Sequence, residues 1–404
     1  MIIRELYLQQ LRHYVDKPLI KVLTGIRRSG KSSLLHLLSD ELRQKGINDS
    51  QIVQINLESF RFADIIDESS LYKKIQSLIT TKNTHYILLD EIQEVKNWEK
   101  AVNAIAHDFN ADIYITGSNS RLLSSELATY IAGRYVEINM HTLSFSEFIQ
   151  FRNALRQDRI TDHRKAFFDY LRLGGFPVIN LAEYETEAAC KIIFDIYSSA
   201  ILRDVVQRNN IRDVELLERV VRFVFDNIGN TFSAKNVADY FKSQQRKIDL
   251  NTVYNYLSAL EAAFIIHKIP RYDIKGKEIL KTNEKYFIAE HSLLYAVMGY
   301  SDRWISGVLE NLVMLELKRR GYRVFTGKTN STEVDFIGMR QLDKLYIQVA
   351  WKMQGQPDTI KREFSSLLAI RDHHPKMVLS MDEHFTENIE GIRHQHIADF
   401  LLGK

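Results

Sequence analysis

The chain has 404 residues, 45% hydrophobic and 26% charged, with a net charge of +3; it is long enough for two or three domains and too evenly charged to announce a nucleic-acid binder by composition. A single cysteine, Cys190, excludes an internal disulfide framework and any multi-cysteine zinc site, and suits a reducing compartment. No apolar run approaches the roughly 18–20 residues of a membrane span, and M-I-I-R-E-L-Y-L-Q-Q lacks a signal peptide's apolar core, so a cytoplasmic protein with no membrane partner is expected.

Residues 18–140 alternate short apolar runs with amphipathic stretches: P-L-I-K-V-L-T-G, K-S-S-L-L-H-L-L-S-D-E-L-R-Q-K-G and Q-I-V-Q-I-N-L-E come first. L-Y-K-K-I-Q-S-L-I-T-T, H-Y-I-L-L-D-E, a helix around 98–109, D-I-Y-I-T-G-S and R-Y-V-E-I-N-M follow. Strands alternating with helices predict a parallel sheet covered on both faces. Between a strand over 19–23 and a helix over 32–43, Gly25-Ile26-Arg27-Arg28-Ser29-Gly30-Lys31-Ser32 fits G-x-x-x-x-G-K-[ST] without deviation. Gly25 and Gly30 let the backbone curl so that its amides point inward, and the helix start adds partial positive charge. Lys31 can reach the β- and γ-phosphates and the Ser32 hydroxyl can serve Mg2+, so ATP with Mg2+ is the expected ligand. Gly25, Arg27, Arg28, Ser29, Gly30, Lys31, Ser32 and Ser33 make up the nucleotide-binding stretch. Arg27 and Arg28 fill its variable positions, whose side chains usually point away from the phosphates, and a subunit interface or a lid is the alternative surface for them.

Tyr86-Ile87-Leu88-Leu89-Asp90-Glu91 is an apolar strand ending in two carboxylates. Beside a phosphate loop, Asp90 is expected to hold Mg2+ through water and Glu91 to polarise the attacking water as catalytic base; a solvated turn is the bland alternative. The next strand, over 112–116, runs into Gly117-Ser118-Asn119-Ser120. There Ser118 or Asn119 can orient water near the γ-phosphate, and a plain helix cap competes with that reading. Arg134 stands between a helix and a strand over 135–140. It is suited to reach a neighbouring subunit's γ-phosphate, or else to pair on the surface with Glu137 or Glu126.

L-D-E-I-Q with Trp98, I-T-G-S-N-S (115–120), A-G-R-Y (132–135), L-S-F-S-E-F (143–148) and L-G-G-F-P (173–177) together resemble a large prokaryotic family of AAA+-type ATPases close to the STAND group. The likeness runs across nearly the whole chain. It implies binding of ATP and ADP, ATP hydrolysis, a homo-oligomer and a C-terminal domain of unknown function, and it implies no agreed biological task.

From about 143 to 260 the pattern turns helical. Arg203-Asp204 lies there, either an ordinary ion pair or a reporter of nucleotide state. Over 231–289, T-F-S-A-K-N-V-A-D-Y-F, then D-L-N-T-V-Y-N-Y-L-S-A-L-E-A-A-F and two strands joined at Lys275-Gly276-Lys277 form the winged-helix pattern, to which the family is similar here. Ser233 and Asn251 are the expected helix caps. Val253, Tyr256, Leu257, Leu260 and Phe264 recur at helical spacing and are expected in the core, leaving Thr252, Tyr254, Asn255 and Ser258 outside. Six hairpin cations (Lys268, Arg271, Lys275, Lys277, Lys281, Lys285) favour DNA as a partner through phosphate contacts; the reading helix, without Arg or Lys, argues against it.

Over 308–352 the chain resembles the PD-(D/E)xK nuclease core, in which a helix Glu, a strand Asp and a downstream (D/E/Q)-x-K supply metal carboxylates and a lysine that helps activate water. Glu310, Asp335 and Gln348 match by position, while Ala350 stands where the lysine belongs. Lys352 shares that sheet face, about 7 Å further along. A retained shape without nuclease activity, used for binding DNA or a protein, is therefore expected, with Arg362 and Glu363 structural. His373-His374 and His394 with His396 lack acidic partners at ligand spacing and are read as solvated.

The fold class expected is α/β: a P-loop NTPase parallel sheet (1–142), a helical lid with a winged helix (143–290) and an α/β PD-(D/E)xK-like domain (291–404). The function expected is ATP hydrolysis driving a conformational switch or motor. A DNA-binding regulator using ATP as a switch and an ATP-dependent nuclease are the alternatives.

Overall fold

The apolar runs of the first 140 residues become β1 (Ile20–Thr24), β2 (Ile52–Asn56), β3 (His85–Asp90), β4 (Ala111–Gly117) and β5 (Tyr135–Asn139). They form one parallel sheet in the order β2-β3-β4-β1-β5. The computed structural model describes residues 2–120, 133–155, 159–245, 248–329, 332–383 and 388–404, with 281–283 described by their backbone alone. The chain divides into two compact units, Met1–Thr142 with Ala262–Phe264, and Leu143–Glu261 with Ile265–Lys404.

In the first unit every residue of β1 and β3 is buried, which is why these strands read as continuous apolar runs rather than alternating ones. Successive side chains still go to opposite faces. Val22, Ile55, Ile87, Leu89 and Ile115 pack with α3 (Glu68–Leu78) and α4 (Trp98–Asp108) through Leu71, Ile75, Trp98 and Val102. Leu23, Leu88, Tyr114 and Ile138 meet α1 (Glu5–Arg12) and α2 (Lys31–Gln44) through Tyr7, Leu11, Leu34 and Leu38. The P-loop NTPase-type α/β sheet expected from the sequence is thus observed. At the N-terminal ends of the strands Lys21, wholly buried, pairs with Asp112, which also accepts from Tyr114 Oη (2.8 Å) and the Asp16 amide (2.9 Å).

The second unit opens with α5 (Phe145–Leu155), α6 (His163–Leu173), α7 (Thr186–Ala200) and α8 (Val214–Asp226). Arg203 and Asp204 lie in a π-helical continuation of α7, Ile201–Gln207, where buried Asp204 pairs with Arg208 at 3.3 Å. In L-G-G-F-P, Gly174 has φ 73° and any Cβ there would overlap the side chains of Glu290 and Ser292. The Gly175 amide donates to Glu290 Oε1 (3.1 Å), which explains the paired glycines.

Then come β6 (Thr231–Phe232), α9 (Ala234–Ser243), α10 (Leu250–Ala262), β7 (Ile266–Asp273), β8 (Glu278–Ile288), α11 (Ser292–Met298), α12 (Ile305–Arg319), β9 (Arg323–Lys328), β10 (Glu333–Arg340) and β11 (Asp343–Val349). The unit ends with α13 (Pro357–Leu368), β12 (Lys376–Ser380), β13 (Arg393–His396) and α14 (Ile397–Leu401). Its strands form one sheet in the order β13-β12-β11-β10-β9-β7-β8-β6. That sheet corrects the expected organisation. The boundary placed at 290/291 separates no sheets, because β7 pairs in parallel with β9. A free hairpin edge would leave a row of unpaired amides and carbonyls, and β9 satisfies them.

Ser233 caps α9 in a reciprocal box with Asn236. At α10 the side chain that accepts is Asp249 Oδ2, from the Asn251 amide (2.8 Å), so Asn251 is not the cap. Val253, Tyr256, Leu257 and Leu260 are buried, and Tyr254, Asn255 and Ser258 are exposed, as the periodicity predicts; Thr252 is half-buried. His396, read as solvated, is 6% exposed and accepts from the Ala398 amide (3.0 Å) at the head of α14. His394 contacts Ser380 Oγ at 2.8 Å.

Candidate functional site

The sheet register puts the C-terminal ends of β1, β3 and β4 side by side, with Thr24 opposite Gly117 and Leu89 opposite Ile115. The loop after β1 turns at Gly25 (φ 137°) and Gly30 (φ 102°). Any Cβ on Gly25 would collide with the Met140 carbonyl oxygen. No side chain caps α2, whose first residue is Lys31, so its leading amides keep their donors for an anion. Lys31 is buried and its ammonium donates to the loop carbonyls of Gly25 (2.9 Å) and Ile26 (3.1 Å). Ser29 is buried, Ser32 half-buried and Ser33 exposed. Arg27 turns onto Glu58, beyond β2, at 2.6 Å, while Arg28 is exposed with φ 65°.

Asp90 and Glu91 are both buried beside this loop. Thr116, one residue before the end of β4, donates to Asp90 Oδ1 (2.5 Å) and accepts from the Glu91 amide (3.0 Å). Asn56 Nδ2 reaches Asp90 Oδ2 at 3.3 Å. Glu91 has φ 55°, a left-handed conformation rare outside glycine, and its carboxylate accepts from Gln93 Nε2. Burial pushes the Glu91 carboxyl above the ordinary glutamate range; Lys31 and the Gln93 amide pull it back, and Asp90 and Glu58 push it up. Ser118 and Asn119 follow β4 and are buried. An uncapped helix start, a buried lysine and two consecutive carboxylates at the end of β3 are a donor set that suits phosphates with Mg2+.

Arg134 lies at the opposite end of the sheet. Its carbonyl accepts from the Ile20 amide (2.8 Å), where β1 and β5 begin, and it lines a cavity of about 570 Å3 with Asp16, Lys17 and Asp112. It does not reach the loop of its own chain. Of the surface partners expected for it, Glu137 accepts from Thr24 Oγ1 (2.6 Å), and Glu126 lies outside the described residues.

In the second unit Glu310, Asp335 and Gln348 come together around a cavity of about 750 Å3 that Lys352, itself exposed, also lines. Lys285, read as a hairpin cation, and Glu363, read as structural, join them. Lys285 on β8 pairs with Glu333 (2.8 Å), Glu310 (3.1 Å) and Asp335 (3.5 Å), and Glu363 on α13 accepts from Gln348 Nε2 (2.8 Å). The hairpin's cations are correspondingly depleted. Lys285 is 3% exposed and so adds nothing to a phosphate-binding surface, while Lys268, exposed, pairs with Glu284 at 2.8 Å. The Lys281 side chain lies outside the described residues.

A family model described as an AAA domain matches residues 17–149, and a domain of unknown function, DUF8612, matches 164–303. An uncharacterized protein of Haemophilus influenzae is 39% identical over 403 residues, covering 100% of this chain and 99% of its own. The chain belongs to that family. A second member, an uncharacterized protein of Methanocaldococcus jannaschii, is 32% identical over 350 residues, covering 83% of this chain and 75% of its own. In fold the chain is similar to a Walker-type ATPase of Pyrococcus abyssi, with a TM-score of 0.53 at 18% identity, covering 74% of this chain and 96% of that one. Its first unit is an AAA-type P-loop ATPase domain. Among the described residues no helix is long and apolar enough to cross a membrane.

Sequence reasoning missed the residues that hold this family's motifs in place. Thr116 sits inside I-T-G-S-N-S, two positions before Ser118, the first of the residues chosen for the role, and the pairing of β3 with β4 is what brings it to Asp90. Arg4, buried, donates to the carbonyls of Ser29 (2.8 Å), His141 (2.9 Å) and Thr142 (3.2 Å), tying the phosphate loop to the end of the first unit. Nothing in M-I-I-R-E-L-Y marks it.

Proposed function

We propose that the chain binds ATP with Mg2+ at residues 25–33 and hydrolyses it to ADP and phosphate, using the cycle to drive a conformational switch. The observation that carries this reading is the buried Glu91 carboxylate, close enough to Lys31 to feel its charge, beside a helix start without a cap. Ser32 and Asp90 would hold Mg2+, which when bound supplies positive charge to the β- and γ-phosphates. The amides opening α2 and the Lys31 ammonium bind the phosphates and fix their position. Glu91, held at its backbone by Thr116 and at its side chain by Gln93, takes a proton from the attacking water, while Asn119 orients that water. Arg134, at the far end of β5 from its own loop, serves a neighbouring copy's nucleotide, which makes a homo-oligomer the active form.

Steady-state ATP hydrolysis and binding of a labelled nucleotide test this together. Glu91→Gln should remove roughly 10²–10⁴ of the turnover and keep affinity within a few-fold, and Lys31→Ala should lose affinity. Full turnover in Glu91→Gln would sink the assignment.

A regulator that binds DNA through α9, α10 and the hairpin keeps exposed Lys275 and Lys277 as phosphate contacts, with Lys285 of its six expected cations buried among carboxylates and Lys268 paired with Glu284. That loss favours the hydrolytic switch as the primary reading.

A further inference from the structure

The C-terminal cluster has the outline of a hydrolytic metal site, but a lysine of the chain stands among its carboxylates beside the cavity they line. We infer that Lys285 is a built-in counter-ion occupying the space between Glu310, Glu333 and Asp335 that a divalent cation would need, so the cluster is a strut of the fold and not a hydrolytic centre. The inference concerns the second unit alone and does not depend on ATP hydrolysis.

Each of the three carboxylates gives Lys285 one oxygen. The Lys285 ammonium lies 2.8 Å from Glu333 Oε1, 3.1 Å from Glu310 Oε2 and 3.5 Å from Asp335 Oδ1, and its side chain is 4% exposed. The other Asp335 oxygen accepts from the Val349 amide (2.9 Å). Gln348 spends both ends of its amide inside the protein: Oε1 accepts from the Asp335 amide (2.6 Å) and Nε2 donates to Glu363 Oε2 (2.8 Å). Glu363 Oε1 accepts from Arg362 Nε (3.0 Å) and Nη2 (2.7 Å). A metal site instead needs two or more of these oxygens converging on open space. Among the described residues no group of three His, Cys, Asp or Glu is disposed to hold a metal ion.

The lysine is also pinned. In β8 it stands between Ile269 of β7 and Thr231 of β6 in the ladder. Glu310 is confined from the other side, where a Cβ on Gly229 would stand 3.2 Å from its Oε2. An ammonium tethered this way acts at high effective concentration, and a free cation must displace it while shedding its own water. Charge supports the picture. Burial, opposed by Lys285 and aided by Asp335 and Glu333, pushes Glu310 up to about 8, in keeping with a crowded set of carboxylates around one cation. Lys352 is exposed on the rim, and position 350 holds alanine. The strut joins the β7–β8 hairpin to β10 and α12, which accounts for one continuous sheet across 266–396.

The test uses the full-length, nucleotide-free chain and Mn2+ as probe. Thermal unfolding and isothermal titration are run on the native sequence, Lys285→Met, Asp335→Asn and the double variant. Native protein should show no Mn2+ binding that Asp335→Asn removes, and no cleavage of plasmid DNA with Mn2+. Lys285→Met should melt lower and regain roughly 5–10 °C at about a hundredfold excess of Mn2+ over its Kd, a gain lost in the double variant. Mn2+ binding by the native chain that requires Asp335, or DNA cleavage abolished by Lys285→Met, overturns the inference. So does a folded Lys285→Met that gains no Mn2+ affinity. If Lys285→Met does not fold, the native and Asp335→Asn arms decide alone.

Discussion

Thr116→Val isolates the contact that sets the geometry of the candidate active site. Valine keeps the branched shape and removes one hydroxyl, which in the native protein is wholly buried. That hydroxyl donates to Asp90 Oδ1 at 2.5 Å and accepts from the Glu91 amide at 3.0 Å. Its loss leaves a buried N–H without an acceptor, about 1–3 kcal/mol, and removes a hydrogen bond to a charged group, about 1.5–3 kcal/mol. The two overlap, because Glu91 relaxes when its amide is released, and about 3 kcal/mol in total is expected. For a unit of this size that lowers the melting temperature by roughly 10 °C. Glu91 is also freed at the residue whose left-handed backbone aims its carboxylate, and a displacement of about 1 Å costs on the order of 10² in rate. Thermal unfolding, steady-state hydrolysis and labelled-nucleotide binding measure the three quantities. The expected pattern is a lower melting temperature and a kcat reduced about a hundredfold, with affinity changed only several-fold. A melting temperature within about 2 °C of native together with unchanged kcat would refute the role given to Thr116.

Gly25→Ala should abolish nucleotide binding, because its φ of 137° excludes alanine and the new methyl meets the Met140 carbonyl; a labelled-nucleotide titration reads this. Lys21→Met strands Asp112 in the core and should cost about 3–5 kcal/mol in urea unfolding. Lys21→Met with Asp112→Asn should recover much of that, since asparagine still accepts from Tyr114 and the Asp16 amide. His267 is buried near Lys318 and Arg319, and burial first, then those charges, hold its pKa well below the ordinary value. The unfolded chain takes that proton below about pH 6.5 and the folded chain refuses it, so the contribution is intact above pH 6.5 and falls by up to about 1.4 kcal/mol per unit below it. Unfolding of the second unit at pH 7 and pH 5.5 should show this slope, and His267→Gln should flatten it.

The sequence motifs made the candidate nucleotide site legible because their chemistry is local. A phosphate loop needs two glycines, a lysine and a hydroxyl within eight consecutive residues, and Asp90 and Glu91 announce themselves as charges ending an apolar strand. Burial in the helices was legible for the same reason. Positions such as Val253, Tyr256 and Leu260 repeat with the turn of the helix. The fate of the hairpin was not. Its six cations read as a surface because charge on a strand is usually solvated, yet Lys268 and Lys285 are paired with carboxylates.

By itself the sequence determined the class of the first unit and marked the candidate nucleotide loop and the carboxylates expected to act beside it, since each rests on residues close along the chain. Only the tertiary structure decided what lies next to them. Thr116 reaches Asp90 because β3 and β4 are neighbours, Arg134 stands away from its own loop because β5 runs parallel to β1, and Lys285 meets Glu333 and Asp335 because one sheet runs through β8 and β10. Such contacts join residues far apart along the chain, 138 positions in the case of Arg4 and Thr142. Pattern and propensity carry no information on such pairs, whereas strand order and burial fix them.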